Sequence, residues 1–167
     1  KNFLTYWREI LKISDLMKKL EEFYPISTQM SWDNSGLQIG DLNLEVKKVH
    51  VCLDIEEFQI DKAIENGCDT IITHHPVFMG GVKSIEKSNF FYKIIKKALD
   101  SNITILSYHT PFDVSESGMK NFSLSEYAVG EIKKFAVEEG QNFGIVFDVK
   151  DIKVKEIIEI LSKNFSK

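Results

Sequence analysis

An α/β fold, with a mostly parallel sheet and helices on its faces, is what this sequence predicts. Three observations carry the prediction. Short apolar runs alternate with amphipathic stretches between residues 49 and 109. Two of those runs stop at histidine, in Thr73-His74-His75-Pro76 and in His109-Thr110-Pro111-Phe112-Asp113. A chain of 167 residues has enough length for one well-buried core.

Residues 8–24 place Ile10, Ile13, Leu16, Met17, Leu20 and Phe23 at three- and four-residue spacing, which predicts an amphipathic helix. Pro25 ends it, because proline removes a backbone donor. The segment Ser31-Trp32-Asp33-Asn34-Ser35-Gly36-Leu37 reads as a loop of turn formers around an aromatic. Within it Trp32 is expected in the core, Asp33 as a helix or turn cap and Gly36 as a turn residue. The functional alternative is that this loop folds over a site.

Val49-His50-Val51-Cys52-Leu53-Asp54 predicts a strand, and Glu56 to Asn66 a helix closed by Gly67. Asp69 to His74 predicts a second strand. Phe90 to Asp100, with Ile94, Ile95, Ala98 and Leu99 on one side, predicts a second crossover helix. Ile103 to His109 predicts a third strand. Such crossovers are right-handed, so the carboxyl ends of the three strands share one edge. Asp54, His74 and His109 then converge there, where α/β proteins build their sites. Further on, Phe122 to Phe135 is expected to be helical, Phe143 to Val149 a strand, and Val154 to Leu161 an amphipathic helix.

Bulk properties narrow the function. There are 21 basic and 25 acidic residues, for a net charge of −4, which gives no electrostatic footprint for nucleic acid or an anionic membrane. Two cysteines, Cys52 and Cys68, without a CxxC, point to neither a disulfide framework nor a thiolate zinc site. Cys52 is expected as a buried thiol, and a reducing, cytoplasmic setting fits. No apolar stretch reaches membrane-spanning length, and the first residues lack a signal-peptide pattern. Because Lys1 stands where Met would open a chain, a processed product or a piece of a longer chain is expected.

The chemistry lies in His74, His75, His109 and Asp113, the expected metal ligands. Imidazoles and a carboxylate without thiolates suit Zn, Fe, Mn or Ni, and spacing does not choose among them. Pro76 extends the backbone at His75, so neighbouring imidazoles can address two ions or two sides of one. The bland alternative is one structural and one exposed histidine. Asp113 lies four residues after His109, but Pro111 argues for a loop that turns both inward rather than for a helix. Asp113 has the oxygens to bridge two ions, and an Asx-turn is its bland alternative. Two ions together would activate a water for hydrolysis. His50, at the start of its strand, is expected to be a surface or satisfied histidine. Asp54 is the only candidate general base at the same edge. No Walker-type glycine loop is present, and Gly80-Gly81 alone is too weak to bind phosphate on.

Trp32-Asp33-Asn34-Ser35-Gly36-Leu37-Gln38-Ile39-Gly40-Asp41 resembles the amino-terminal signature of the NIF-three-like proteins, often labelled GTP cyclohydrolase I type 2. Val51-Cys52-Leu53-Asp54, Ile71-Ile72-Thr73-His74-His75-Pro76 and Tyr108-His109-Thr110-Pro111-Phe112-Asp113 follow in that family's order. Gly144-Ile145-Val146-Phe147 resembles the strand that opens its second half. The resemblance implies a dinuclear metal site with His74, His75 and Asp113 as ligands, Asp113 bridging, and His109 as a further ligand or close neighbour. It implies two divalent metal ions, a small-molecule substrate, a homo-oligomer of ring-like hexamer form, and a metal-dependent hydrolase. A non-catalytic metal-binding or protein-interaction scaffold is the alternative. It also implies residues 1–125 as an amino-terminal α/β half and 126–167 as the start of a second, incomplete half. The family's remaining His and Glu ligands fall near the end of longer chains, and no histidine follows His109 here.

Overall fold

The structure, a computed structural model, describes residues 11–80, 82–118 and 128–165. Its centre is a four-stranded sheet of order β1-β4-β3-β2, made by β1 (Gly36–Ile39), β2 (Val49–Cys52), β3 (Thr70–Thr73) and β4 (Thr104–Ser107). β2, β3 and β4 are parallel, with Val49 opposite Thr70 and Thr70 opposite Thr104. The crossover helices are α2 (Glu57–Glu65) and α3 (Phe90–Asp100). The expected strand-helix-strand-helix-strand unit is thus present, with each strand a residue or more shorter than its apolar run.

Both crossovers step in the same direction across the sheet, so α2 and α3 lie on one face. Ile60 and Ala63 of α2 and Ile94 and Ala98 of α3 pack there on Ile71 and Ile105. One residue further along each strand, Ile72 and Leu106 point to the opposite face. That face is covered by Ile13, Leu16, Met17 and Leu20 of α1 (Ile13–Glu21). Each fully buried isoleucine contributes roughly 1.5–3 kcal/mol, so the two-residue alternation fixes which side each helix covers. The part of the first predicted helix before residue 11 lies outside the described residues.

Three expectations need correction. β1 lies where the turn-rich loop was expected to continue; it pairs antiparallel with β4, Gly36 opposite Ser107. Backbone approach explains its glycine-bounded shape. A Cβ on Gly40, at φ +121°, would stand 2.8 Å from Thr104 Cα, so only glycine fits. Second, residues 128–135 are not helical. They belong to β5 (Ala128–Glu138), which pairs antiparallel with β6 (Gln141–Val149) in a separate two-stranded sheet. Residues 122–127, where that helix was expected to begin, lie outside the described residues. The connecting pair Glu139-Gly140 has φ of +46° and +78°, the positive values of a tight hairpin turn that matches strand twist. Third, Pro111 does not prevent a helix. It sits in the first turn of α4 (Thr110–Val114), where its missing N–H is no loss.

The strand expected at 143–149 and the helix expected at 154–161 are both present, within β6 and α5 (Val154–Phe165). The expected division between residues 125 and 126 lies outside the described residues. Among the described residues no helix is long and apolar enough to cross a membrane.

Candidate metal centre

The carboxyl ends of the parallel strands deliver the site. β3 runs into His74 and His75, β4 into Tyr108 and His109, and β2 into Leu53 and Asp54. The parallel ladder extends past the strands through His74 N–H to Cys52 O and His75 N–H to Leu53 O, at 3.2 and 3.0 Å. Two hydroxyls then hold the bend. Ser107 Oγ donates to His74 O at 2.8 Å, and Thr73 Oγ1 donates to His75 O at 2.7 Å. Ser107 and Thr73 are the last residues of their strands, and both are buried. Pro76 follows, and the chain turns away.

This bend brings three imidazoles together. One ligand atom from each of His74, His75 and His109 lies within 4.8 Å of the others, and all three residues are half-buried. That envelope is wider than the roughly 3.4 Å that two ligand atoms span on one tetrahedral ion at ~2.1 Å each, so the rings would have to close in to share an ion. The ring centroids of His74 and His109 are 5.0 Å apart, and those of His74 and His75 4.9 Å. Asp113, on α4, brings Oδ1 to 3.6 Å from His74 Nε2. Tyr24 packs edge-on against Phe112 at 5.2 Å, which seats α4 against the body of the protein.

Two of the rings are oriented from behind. His75 Nδ1 bonds Asp54 Oδ1 at 2.7 Å, and His109 Nδ1 bonds Asp33 Oδ1 at 3.1 Å. A carboxylate only accepts, so both Nδ1 atoms carry their protons and leave the Nε2 lone pairs free. A carboxylate behind an imidazole is the support that metal-ligating histidines have. Asp54 is therefore the partner of His75.

Asp33 is the residue that sequence reasoning undervalued. Its side chain is fully buried. Besides His109, it accepts from Asn34 N at 2.7 Å, Ser35 Oγ at 3.0 Å, Thr110 N at 3.1 Å and the Thr110 hydroxyl. Asp33 does cap a helix, as expected, but that helix is α4, far along the chain. Ser35 Oγ in turn accepts from His109 N, and Thr110 Oγ1 from Met30 N, both at 3.0 Å. On its other side the same loop holds the segment after Pro76, through Asn34 Nδ2 to Phe78 O at 2.7 Å. The loop thus folds over the site. Trp32 is not core; it is 47% exposed, with its ring edge-on to His109 at 5.7 Å. The Asn-Ser pair after Asp33 was the available signal, since both offer donors to a neighbouring carboxylate.

A link from the hairpin ends on this loop. Glu139 accepts from Ser31 N at 2.9 Å and from Ser31 Oγ at 2.6 Å. Those bonds hold its carboxyl below the ordinary value.

The electrostatics favour His74 in its metal-ready form, while Asp113 is shifted the other way. Burial lowers the His74 pKa, and the neighbouring His109 and His75 lower it further, against the pull of Asp113. His74 is therefore neutral at pH 7. Burial raises the Asp113 carboxyl above its usual range, with His74 opposing. Burial works to raise Asp33 as well, but the hydrogen bonds from Thr110, Asn34, His109 and Ser35 outweigh it and the pKa is lowered. The three imidazoles, with carboxylates nearby, could hold a metal ion. His50 stands apart, bonded to Gln59 Oε1 at 2.9 Å, as expected of a satisfied histidine. Cys52 is half-buried rather than buried, and burial beside Asp54 pushes its thiol up to about 11.

Comparison with known proteins agrees with this fold. A family model described as Duf34/NIF3 (NGG1p interacting factor 3) matches residues 11–167. A "GTP cyclohydrolase 1 type 2 homolog" of Staphylococcus aureus (strain COL) is 43% identical over 109 residues, which is 65% of this chain and 30% of that protein. A protein of the same name from Campylobacter jejuni is 35% identical over 133 residues, 80% of this chain and 52% of that one. Among solved structures, reduced HcgD from Methanocaldococcus jannaschii has a TM-score of 0.80 at 29% identity, covering 93% of this chain and 60% of that chain. The chain therefore spans 30% to 52% of the length of these two curated relatives.

Proposed function

The chain belongs to the Duf34/NIF3 family, and from that premise we propose that it holds a dinuclear divalent-metal centre serving a metal-dependent hydrolase. The carrying observation is the triad of His74, His75 and His109, two of whose rings are backed by carboxylates. His74, His75 and His109 would hold metal through nitrogen, and Asp113 through its carboxylate. Ions bound there supply Lewis-acid activation of water or of a substrate oxygen. The chain's own residues do the positioning. Asp54 fixes the His75 ring, Asp33 fixes the His109 ring and caps α4, and the 31–37 loop limits water on one side. The name of the curated relatives suggests hydrolysis of a cyclic or amide bond in a small molecule. The family resemblance implies further His and Glu ligands, which longer chains carry in a second half that would open here near residue 126. Assembly as a ring-like hexamer and a cytoplasmic setting, which two free thiols fit, belong to the same proposal.

A non-catalytic metal-holding scaffold is the second reading. The exposed apolar side chains of the hairpin, Phe135, Val137 and Val146 on one face of it, favour it, because exposed apolar surface suits protein contact.

The test is elemental analysis of dialysed protein, with His74→Ala and Asp113→Ala beside it and His50→Ala as control. Bound transition metal that falls in the first two variants and stays in the third supports the centre. Equal metal content in all forms, or none in any, would sink it. Substrate turnover abolished by a chelator and restored by metal then separates hydrolase from scaffold.

A further inference from the structure

A cleft of about 680 Å³ opens on the far side of His75, between the start of α2 and the start of α3. Its size is that of a small-molecule site. Two aromatic rings flank it, Phe58 on α2 and Phe90 on α3, each 46% exposed. Its polar rim carries Asp54, Glu56 and Glu57, and His75 forms the wall shared with the metal cluster. No lysine or arginine lines it among the described residues. Two cations stand against lining residues without lining the cleft themselves. Lys93 Nζ pairs with Glu57 at 3.1 Å, and Lys62 Nζ stands 5.2 Å from the Phe58 ring centroid. That second contact shows that the Phe58 ring already receives positive charge on a face.

We propose that this cleft binds the organic part of the substrate, and that it takes a planar, neutral or cationic group and rejects phosphates and other polyanions. Exposed ring faces reward a flat apolar group. Glu57 is paired with Lys93 and Asp54 with His75, so Glu56, whose carboxylate has no partner among the described residues, is the charge that favours a positive group and repels a negative one. A group seated there abuts His75, so a substituent reaching past that ring arrives at the metal ligands. The link to catalysis rests on the proposed metal centre; the binding selectivity does not.

Benzamidine, benzamide and benzoate form a series of matched shape and stepped charge that reads this selectivity directly. Chemical-shift titrations on the metal-free and the zinc-loaded protein should give the order benzamidine, benzamide, benzoate. Benzamidine should lead benzoate by roughly two- to five-fold, the scale of one partly exposed charge contact. Phe58→Ala should weaken all three ligands, with Phe90→Ala as a second variant and peptide-signal dispersion as the check on folding. Glu56→Gln should narrow the ratio of benzamidine to benzoate. Benzoate binding the metal-free protein as well as benzamidine, or no shift at millimolar concentration, would overturn the proposal, as would full binding by both phenylalanine variants. A protein that holds no metal yet keeps the charge order fails the metal centre and retains the cleft. One that holds metal without the charge order does the reverse.

Discussion

Asp33 and His109 are 76 residues apart in the chain and 3.1 Å apart in space, joined by a bond from the imidazole Nδ1 to a fully buried carboxylate. That bond sets which nitrogen of His109 faces the cluster. It also ties the amino-terminal loop to the end of β4, where α4 begins.

Asp33→Asn should lower metal affinity by about 10–100-fold, the usual effect of losing a carboxylate behind a ligating histidine. The amide also sets a donor group among donors, which should cost roughly 1–3 kcal/mol in stability. Chelator competition and urea unfolding read the two effects separately. An affinity equal to that of the parent protein would remove Asp33 from the site.

Acid should expose the same carboxylate. Its folded pKa lies below the unfolded value, so its stabilisation is fully present above the ordinary carboxylate range. It is lost as pH falls through the folded pKa. Urea midpoints of the metal-free protein between pH 6 and pH 3 should therefore fall more steeply for the parent than for Asp33→Asn. Parallel curves would contradict the assignment.

Thr104 Oγ1 is buried and finds no hydrogen-bond partner among the described residues. Thr104→Val keeps the shape and removes the orphaned hydroxyl. Stability should be unchanged or rise, by up to about 2 kcal/mol, since an unmet buried hydroxyl costs roughly 1–3 kcal/mol. A clear fall in the urea midpoint would mean that the hydroxyl has a partner after all.

Gly40 faces the same threonine. Gly40→Ala meets both the positive φ and the Thr104 backbone, and should destabilise by roughly 2–5 kcal/mol, strained backbone adding to overpacking. Thermal unfolding would show this at once. Ala tolerated there would mean that β1 does not lie against β4 as described.

The central unit of the fold was legible because its signals are local. Ile60, Ala63, Ile94 and Ala98 repeat at helical spacing, and Gly67 ends α2 at φ +66°. The clustering of His74, His75 and His109 followed from parallel strands sharing an edge. What was not legible depends on distant partners or on local contradiction. β1 has only four residues after a run of turn formers, and its strand identity comes from β4. β5 carries Glu131-Ile132-Lys133-Lys134, which suits a helix as well as a strand; the Glu139-Gly140 turn and the pairing with β6 decide it. Pro111 misled because its cost depends on helix position, and the first turn of α4 is the place where it costs least. Asp33 looked like a cap, and nothing near it in sequence names the helix it caps or the imidazole it turns.

The separation between Asp33 and His109 bears on the order of folding. Each crossover of β2, β3 and β4 closes a short loop, whereas the Asp33 bond closes one of 76 residues. Longer closures cost more chain entropy and are favoured only after nearer contacts have formed. The three strand ends therefore meet first, with His109 still free to rotate. The amino-terminal loop docks afterwards and fixes the ring. An immature chain should therefore hold the histidines together before it holds them in register, and metal capture that needs the fixed ring would come at the final stage of folding.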